Sequence, residues 1–366
     1  MHLYIDIMSK TKKIVFLYSR LPDYFYQCIL SFLESNKEFT AVVIRYPKDS
    51  NAPFELKETN RLKLINKTEF KRDTGLLEYL NSLKPEAIFC TGWADKIYLK
   101  TISKLKDKCP VILGLDNPWE NTPRQIVGTL YYYLFLKNKF SHVWVSGMPQ
   151  YEFAKRLGFK HSQILNELYC ANTQPFAKSA ENIIKIKVMN FPKKLVFIGR
   201  YVKYKQPLLL VKLFKELEDL GLTNGWSLEL IGDGPLKESL DKYNSETILI
   251  NSFIDPSKLP EKLSSSGAFC LPSKSEHWGV VVHEAAAAGL PLLLSNTTYA
   301  GSSLLINGYN GFKFDENKSL ELKQSLLDLF ETPEDKLLIM GQNSAKLAER
   351  INHNTWSANL MSILKK

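Results

Sequence analysis

Nothing in the sequence supports a disulfide or zinc framework. Its five cysteines, Cys28, Cys90, Cys109, Cys170 and Cys270, are odd in number, widely spaced and never in a CxxC pair, a usage that fits reduced thiols in a cytoplasm. The six histidines, His2, His142, His161, His277, His283 and His353, show no spacing such as HExxH, and no Asp-x-Asp pair occurs, so neither common metal-ligand pattern is present. Long apolar runs are missing as well. The aromatic-aliphatic run from Leu130 to Leu136 falls far short of the ~20 residues needed to span a bilayer. Near the N-terminus Asp6, Lys10, Lys12 and Lys13 interrupt the apolar residues that a leader peptide would need. No tract has the composition of a disordered tail, and there is no short internal repeat.

What remains is a folded chain with ample material for burial. Its 366 residues exceed what one ordinary core organises, and 45% hydrophobic with 23% charged residues is close to the average for globular proteins, so two domains are expected. The excess of 48 Lys and Arg over 38 Asp and Glu, a net charge of +10, permits attraction to a nucleotide, to nucleic acid or to an anionic membrane. It equally permits a plain solvated surface. No RNA- or DNA-binding motif accompanies it, so nucleic acid is not expected as a partner.

Short apolar, β-branched runs recur through the first half: Ile14 to Tyr18, Ala41 to Arg45, Ala87 to Phe89, Val111 to Leu115 and Val143 to Val145. Each reads as a buried parallel strand. Pro22 to Glu34, Gly75 to Leu83 and Thr122 to Lys139 have helical periodicity between them, giving the βαβ alternation of a doubly wound sheet. From about Pro175 the pattern weakens into polar, lysine-rich sequence. A second series then begins with Leu195 to Ile198, Ser227 to Ile231, Ile248 to Ile250, Ala268 to Leu271 and Leu292 to Leu294. Pro207 and Pro235 stand where a first helical residue tolerates a missing N–H, Asp255-Pro256 reads as a cap and first turn, and Gly289 before Pro291 stops a helix. In such sheets ligands bind beyond the carboxyl ends of the strands, so the loops after Ile198, Ile231 and Leu271 are where chemistry is sought.

Gly199-Arg200 follows the first of these strands, with Lys205 shortly after. A guanidinium forks onto phosphate oxygens and an ammonium adds a point charge, so the pair can hold a diphosphate; two solvated loop cations are the bland reading. Gly232-Asp233-Gly234-Pro235 is a tight strand-to-helix turn, either a turn alone or one that also touches a ligand. The most informative stretch runs from Ser273 to Pro291, with Glu276 and Glu284 eight residues apart. With a helix from about Val280 to Ala288, Glu276 lies in the preceding loop, and the free N–H groups around Gly279, Val280 and Val281 make an anion site. Glu284 can then accept from two ribose hydroxyls and Glu276 from a sugar beyond the diphosphate. Alternatively Gly279 to Val282 is a short buried strand and either glutamate an ordinary surface residue.

These ordered motifs together, Gly199-Arg200, Lys205, Gly232-Asp233-Gly234-Pro235, Pro272-Ser273, Glu276, Gly279, Glu284 and Gly289-Leu290-Pro291, resemble those of the retaining glycosyltransferases of family 4, within glycosyltransferase group 1. The resemblance implies an α/β GT-B fold, two Rossmann-like doubly wound parallel-sheet domains facing each other across a cleft. The expected boundaries are 1–175 for an acceptor-side domain, onto which a final helix at 352–366 crosses back, and 176–351 for a nucleotide-sugar domain. It implies that Arg200 and Lys205 bind the donor diphosphate, that Glu276 orients the transferred sugar, that Glu284 holds the ribose, and that the backbone near Phe253 flanks the base. The first half matches only in general pattern. Its first loop, Tyr18-Ser19-Arg20-Leu21-Pro22-Asp23, lacks the glycines of many relatives, and Asp116 stands where relatives often carry a sugar-facing histidine. A turn or capping role explains Asp116 equally well.

The expected activity is retaining transfer of a sugar from a UDP- or GDP-linked donor to a glycan or lipid-linked acceptor, with no metal required, in cell-envelope polysaccharide synthesis in the cytoplasm or at the inner membrane face. A nucleotide-sugar epimerase on the same fold is the alternative. Tyr131 to Lys139, aromatic and apolar with lysines at its end, suits docking on an anionic membrane, and a buried helix of the first domain explains the same residues.

Overall fold

A computed structural model describes residues 11–47 and 56–364; Asp6 and Lys10, read above for a leader, lie outside them. The chain divides into two compact units, Met1–Cys170 with His353–Lys366, and Ala171–Asn352. Each is a parallel sheet clothed in helices. The first sheet has seven strands: β1 (Lys12–Tyr18), β2 (Phe39–Arg45), β3 (Leu62–Asn66), β4 (Ala87–Thr91), β5 (Val111–Leu115), β6 (His142–Val145) and β7 (Ile164–Leu165), in the order β3-β2-β1-β4-β5-β6-β7. The second has six: β8 (Lys194–Ile198), β9 (Ser227–Ile231), β10 (Ile248–Asn251), β11 (Ala268–Leu271), β12 (Leu292–Ser295) and β13 (Gly311–Phe314), ordered β10-β9-β8-β11-β12-β13. In both, strand order reverses beside the first strand, between β1 and β4 and between β8 and β11. That reversal is where a doubly wound sheet opens a crevice at its carboxyl edge.

The apolar runs become strands because helices cover both sheet faces, so no alternation of polar residues is needed. Val15 and Leu17 of β1, Ile88 of β4 and Leu113 of β5 are fully buried, as are all four residues of β11 and of β12. Three strands escaped the sequence reading. β3 alternates with Lys63, β7 has two residues and β13 opens on Gly311, so none offers a continuous apolar run. The lysine-rich stretch after Pro175 is a helix, Gln174–Met189, and the helix expected at Pro235 begins two residues later, at Lys237. The final helix, His353–Leu364, belongs to the first unit: Trp356 is buried against Phe25, Phe32 and Trp144, and its indole N–H donates to the Leu168 carbonyl at 3.1 Å.

One expectation for the first unit is overturned. The segment Thr122 to Lys139 is helical but not a buried helix. Pro123–Tyr131 buries no residue, and in the wider π turn Tyr132–Leu136 only Tyr132 and Leu136 face inward. Tyr132 is held by Trp93, Phe140 and Phe159. Two buried anchors four residues apart hold the segment, and its other apolar side chains face water.

A polar anchor beside β2 carries a stability prediction. Asp95 accepts from the Ile97 and Tyr98 amides at the start of the helix Lys96–Ser103, pairs with Lys67 and accepts from the Tyr46 hydroxyl at 2.7 Å. Burial pushes its carboxyl up, but the Lys67 ammonium, the Tyr98 amide and the Tyr46 hydroxyl more than reverse this, so it titrates below the usual carboxylate range. A depressed carboxylate contributes stability above its unfolded value, near about pH 4, and loses it as pH falls through the folded value. Asp95→Ala, which removes a helix cap and strands a cation, is expected to cost about 2–4 kcal/mol at neutral pH in urea unfolding. That deficit should shrink toward acid.

Candidate active site

The second unit builds its site from the two loops that flank the strand-order reversal. After β8 the chain makes a tight turn at Gly199 and a 3-10 turn, Lys203–Lys205, before Pro207 opens the helix Pro207–Asp219. After β11 it runs from Pro272 to Gly279 before the helix Val280–Ala287. Lys205 from the first loop and Glu276 from the second form an ion pair, their side chains only 12% and 18% exposed. The backbones are tied as well, since the Lys274 amide donates to the Tyr204 carbonyl at 2.6 Å. Arg200 is exposed and donates to the Tyr204 hydroxyl.

Glycine makes this close approach possible. A Cβ on Gly199 would meet the Lys205 stem at 3.2 Å, and one on Gly279 would meet the Glu276 side chain at 3.1 Å. Gly279 also caps its helix at φ 92°, a left-handed conformation open chiefly to glycine. No side chain caps that helix start, so the amides of Val280 and Val281 keep the direction that suits an anion. Glu284 lies half-buried on the same helix, one turn in from its start and eight residues beyond Glu276 in sequence. Gly232 and Gly234 brace the β8 loop: the Gly199 amide donates to the Ile231 carbonyl at 3.0 Å, and the Tyr201 amide to the Asp233 carbonyl at 2.8 Å. Phe253, after β10, is exposed.

Several contributors were missed by sequence reasoning. Ser295 and Thr297 donate their hydroxyls to the Ser273 carbonyl at 2.6 and 2.8 Å, and Thr298 to the Leu271 carbonyl at 3.2 Å, fixing the loop that carries Glu276. Hydroxyl residues just past a strand were the available signal, because they readily bond nearby backbone. His283 is fully buried: Nδ1 accepts from the Ala171 amide at 3.2 Å, and Nε2 lies 3.0 Å from the Ala348 carbonyl. It is a neutral structural link that sets the rotation of the helix bearing Glu284.

Asp116 belongs to the first unit. It follows β5 and accepts from the Tyr169 hydroxyl at 2.9 Å, beside Tyr18, whose own hydroxyl is pushed well up by burial and then by the nearby Tyr24 and Asp116. Among the described residues, one group with ligand atoms within 4.8 Å of one another could hold a metal: Cys28, Cys170 and His353 of the first unit. It shares no residue with the site of the second unit.

Residues 179–347 match the family model for glycosyl transferases group 1, inside the second unit and spanning both site loops. The match shows a glycosyl transferases group 1 domain in that part of the chain. The full chain resembles the UDP complex of HepE from Anabaena, with a TM-score of 0.73 at 14% identity over 96% of this chain and 99% of that one. Its fold is accordingly GT-B. By sequence the chain is 24% identical over 174 residues to an uncharacterized glycosyltransferase of Methanocaldococcus jannaschii, 46% of each chain. It is 28% identical over 171 residues to a UDP-Gal:alpha-D-GlcNAc-diphosphoundecaprenol alpha-1,3-galactosyltransferase of Escherichia coli, 44% of this chain and 42% of that protein. Each of these matches covers less than half of the relative's length. Within the GT-B group 1 domain, the β8 and β11 loops are thus both the topological crevice and the place where cations, carboxylate and helix start converge.

Proposed function

We propose that the protein is a retaining glycosyltransferase of family 4 that moves a sugar from a UDP- or GDP-linked donor to a glycan or lipid-linked acceptor. The observation that carries the reading is the meeting of Lys205 and Glu276 at the reversal between β8 and β11. Arg200 and Lys205 hold the diphosphate with the amides of Gly279, Val280 and Val281, Glu284 accepts from the ribose hydroxyls, and the base lies against the backbone near Phe253. Glu276 accepts from hydroxyls of the sugar, and Asp116 is assigned the role of the sugar-facing histidine that relatives often carry at its position. Fixed cations and oriented amides offset the charge of the departing diphosphate without rearrangement, so the donor is held without a metal.

The bond between the anomeric carbon and the diphosphate breaks with its electron pair passing to the phosphate oxygen. That oxygen takes the proton of the acceptor hydroxyl, whose oxygen bonds to the same face of the anomeric carbon. Configuration is kept, and a nucleoside diphosphate leaves. A covalent sugar trapped on Glu276 or Asp116 would replace this with a two-step route. The galactosyltransferase named above acts on a diphosphoundecaprenol-linked acceptor. By analogy we place the reaction in cell-envelope polysaccharide synthesis, in the cytoplasm at the inner face of an anionic membrane.

Calorimetric titration with UDP, GDP and ADP in a chelator tests the donor site. One nucleotide is expected to bind, and Glu284→Ala to weaken it about 10- to 100-fold, the worth of hydrogen bonds to a charged group. Failure of all three nucleotides to bind would overturn the reading, and binding only after a divalent cation is added would remove its metal-free part.

A further inference from the structure

The helical segment Pro123–Lys139 turns its apolar side away from the core. Val127, Leu130, Tyr131 and Leu134 recur at the spacing of one helix face, and all four are exposed, Val127 by 67% and Leu134 by 62%. Ile126, Tyr133 and Phe135 widen this face. A surface helix ordinarily points such a stripe inward. Seven large apolar side chains in one short segment make a patch of several hundred Å², on the order at which exposed apolar surface marks an interaction site.

The charges around it select the occupant. From Asn121 to Tyr151 the sequence has no Asp or Glu, while Arg124 stands in the first turn and Lys137 and Lys139 at the far end. The Lys137 ammonium lies 4.2 Å from the centre of the Tyr133 ring. Cations at the edge of an apolar, tyrosine-containing face match the boundary between acyl chains and anionic headgroups, where the aromatic ring is half-immersed and the ammonium stays in water. A second copy docking face to face would set these cations against their own images with no carboxylate in the segment to answer them.

We propose that the face formed by Ile126, Val127, Leu130, Tyr131, Leu134 and Phe135, edged by Arg124 and Lys137, lies in the surface of an anionic lipid bilayer. The segment is too short to span and is held to the core by Tyr132 and Leu136, so it rests in the interface as a fixed part of the first unit. The proposal deepens the reading of a lipid-linked acceptor, and rests on it for why an enzyme would need the contact.

Cosedimentation of the full chain with vesicles of phosphatidylglycerol and phosphatidylcholine, against phosphatidylcholine alone, tests it. The protein is expected to bind the anionic vesicles at least tenfold more tightly than the neutral ones. Val127→Asp with Leu134→Asp, on exposed positions that leave the core intact, should lower that binding at least tenfold. Arg124→Gln with Lys137→Gln should weaken it several-fold and flatten its dependence on salt. Equal binding by the wild type and the double Asp variant would overturn the proposal. So would absence of vesicle binding, or a concentration-dependent dimer abolished by Leu134→Asp, which would give the face to a second copy. Nucleotide titration of the same preparations keeps the readings apart: a donor site that binds while vesicle binding fails sinks only the bilayer contact, and the converse sinks only the donor site.

Discussion

Lys205→Ala is expected to weaken nucleoside diphosphate binding about 10- to 100-fold and to lower turnover about 10²- to 10³-fold, whereas Glu276→Gln should lower turnover without weakening the bare nucleotide. The split follows from the ion pair. In the resting site the Lys205 charge is answered by Glu276, both largely shielded from water. An arriving diphosphate brings its own negative charge to Lys205, and the nearby Glu276 carboxylate then opposes it. Replacing that carboxylate by an amide removes the repulsion, so Glu276→Gln should bind a nucleoside diphosphate as well or up to about 10-fold more tightly, within what partly screened charges at this range supply. The sugar is what loses, since an amide is the poorer acceptor for its hydroxyls as charge develops. Calorimetry with the diphosphate and turnover with the sugar donor read the two effects separately. Equal loss of both in Glu276→Gln would show that the glutamate holds the loop rather than the sugar.

Much of this site was legible because it depends on local pattern. A buried run, a glycine and a charged residue at the strand end are all visible in Leu195 to Lys205 and in Ala268 to Glu284, and the strands and helix found there match those readings. The pairing of Lys205 with Glu276 was not legible. It is a contact between loops 71 residues apart in sequence, set by β8 lying next to β11, and local pattern does not give strand order. The hydroxyl clasp from Ser295, Thr297 and Thr298 is hidden for the same reason. The segment around Tyr131 fails differently. Its periodicity says helix correctly, but periodicity cannot say whether an apolar stripe faces a core or the outside. Only Tyr132 and Leu136, adjacent to the exposed residues in sequence and chemically like them, are buried in the core of the first unit.

The glycine turn after β9 yields the sharpest structural prediction, and it separates the two readings the turn allows. A Cβ on Gly232 would stand 1.9 Å from the Gly199 carbonyl oxygen and 2.9 Å from its carbon. Those are backbone atoms of the loop that carries Arg200 and Lys205, so no side-chain rotation relieves the clash, and one loop must move from the other. Gly232→Ala is therefore expected to cost about 3 kcal/mol, the upper range for overpacking. In a unit of this size that is a fall in Tm of roughly 6–12 °C. Gly75→Ala is the contrast: with nothing within 4 Å and an ordinary helical backbone, it should be neutral or stabilise by about 0.5–1 kcal/mol. If the turn acts only as a brace, the Gly232 variant loses stability and nucleotide affinity together, because displacing the β8 loop moves Lys205 off the phosphate. If Gly232 also makes room for the ligand's own atoms, affinity should fall by more than the matching loss in a Gly234→Ala variant. A Cβ on Gly234 would meet the Tyr201 carbonyl oxygen at 2.8 Å, so that variant disturbs the same brace from the other side. Thermal melts and nucleotide titrations of the pair distinguish these cases. Unchanged melting in Gly232→Ala would mean that the two loops can part freely, and the rigid site inferred from their contact would have to be given up.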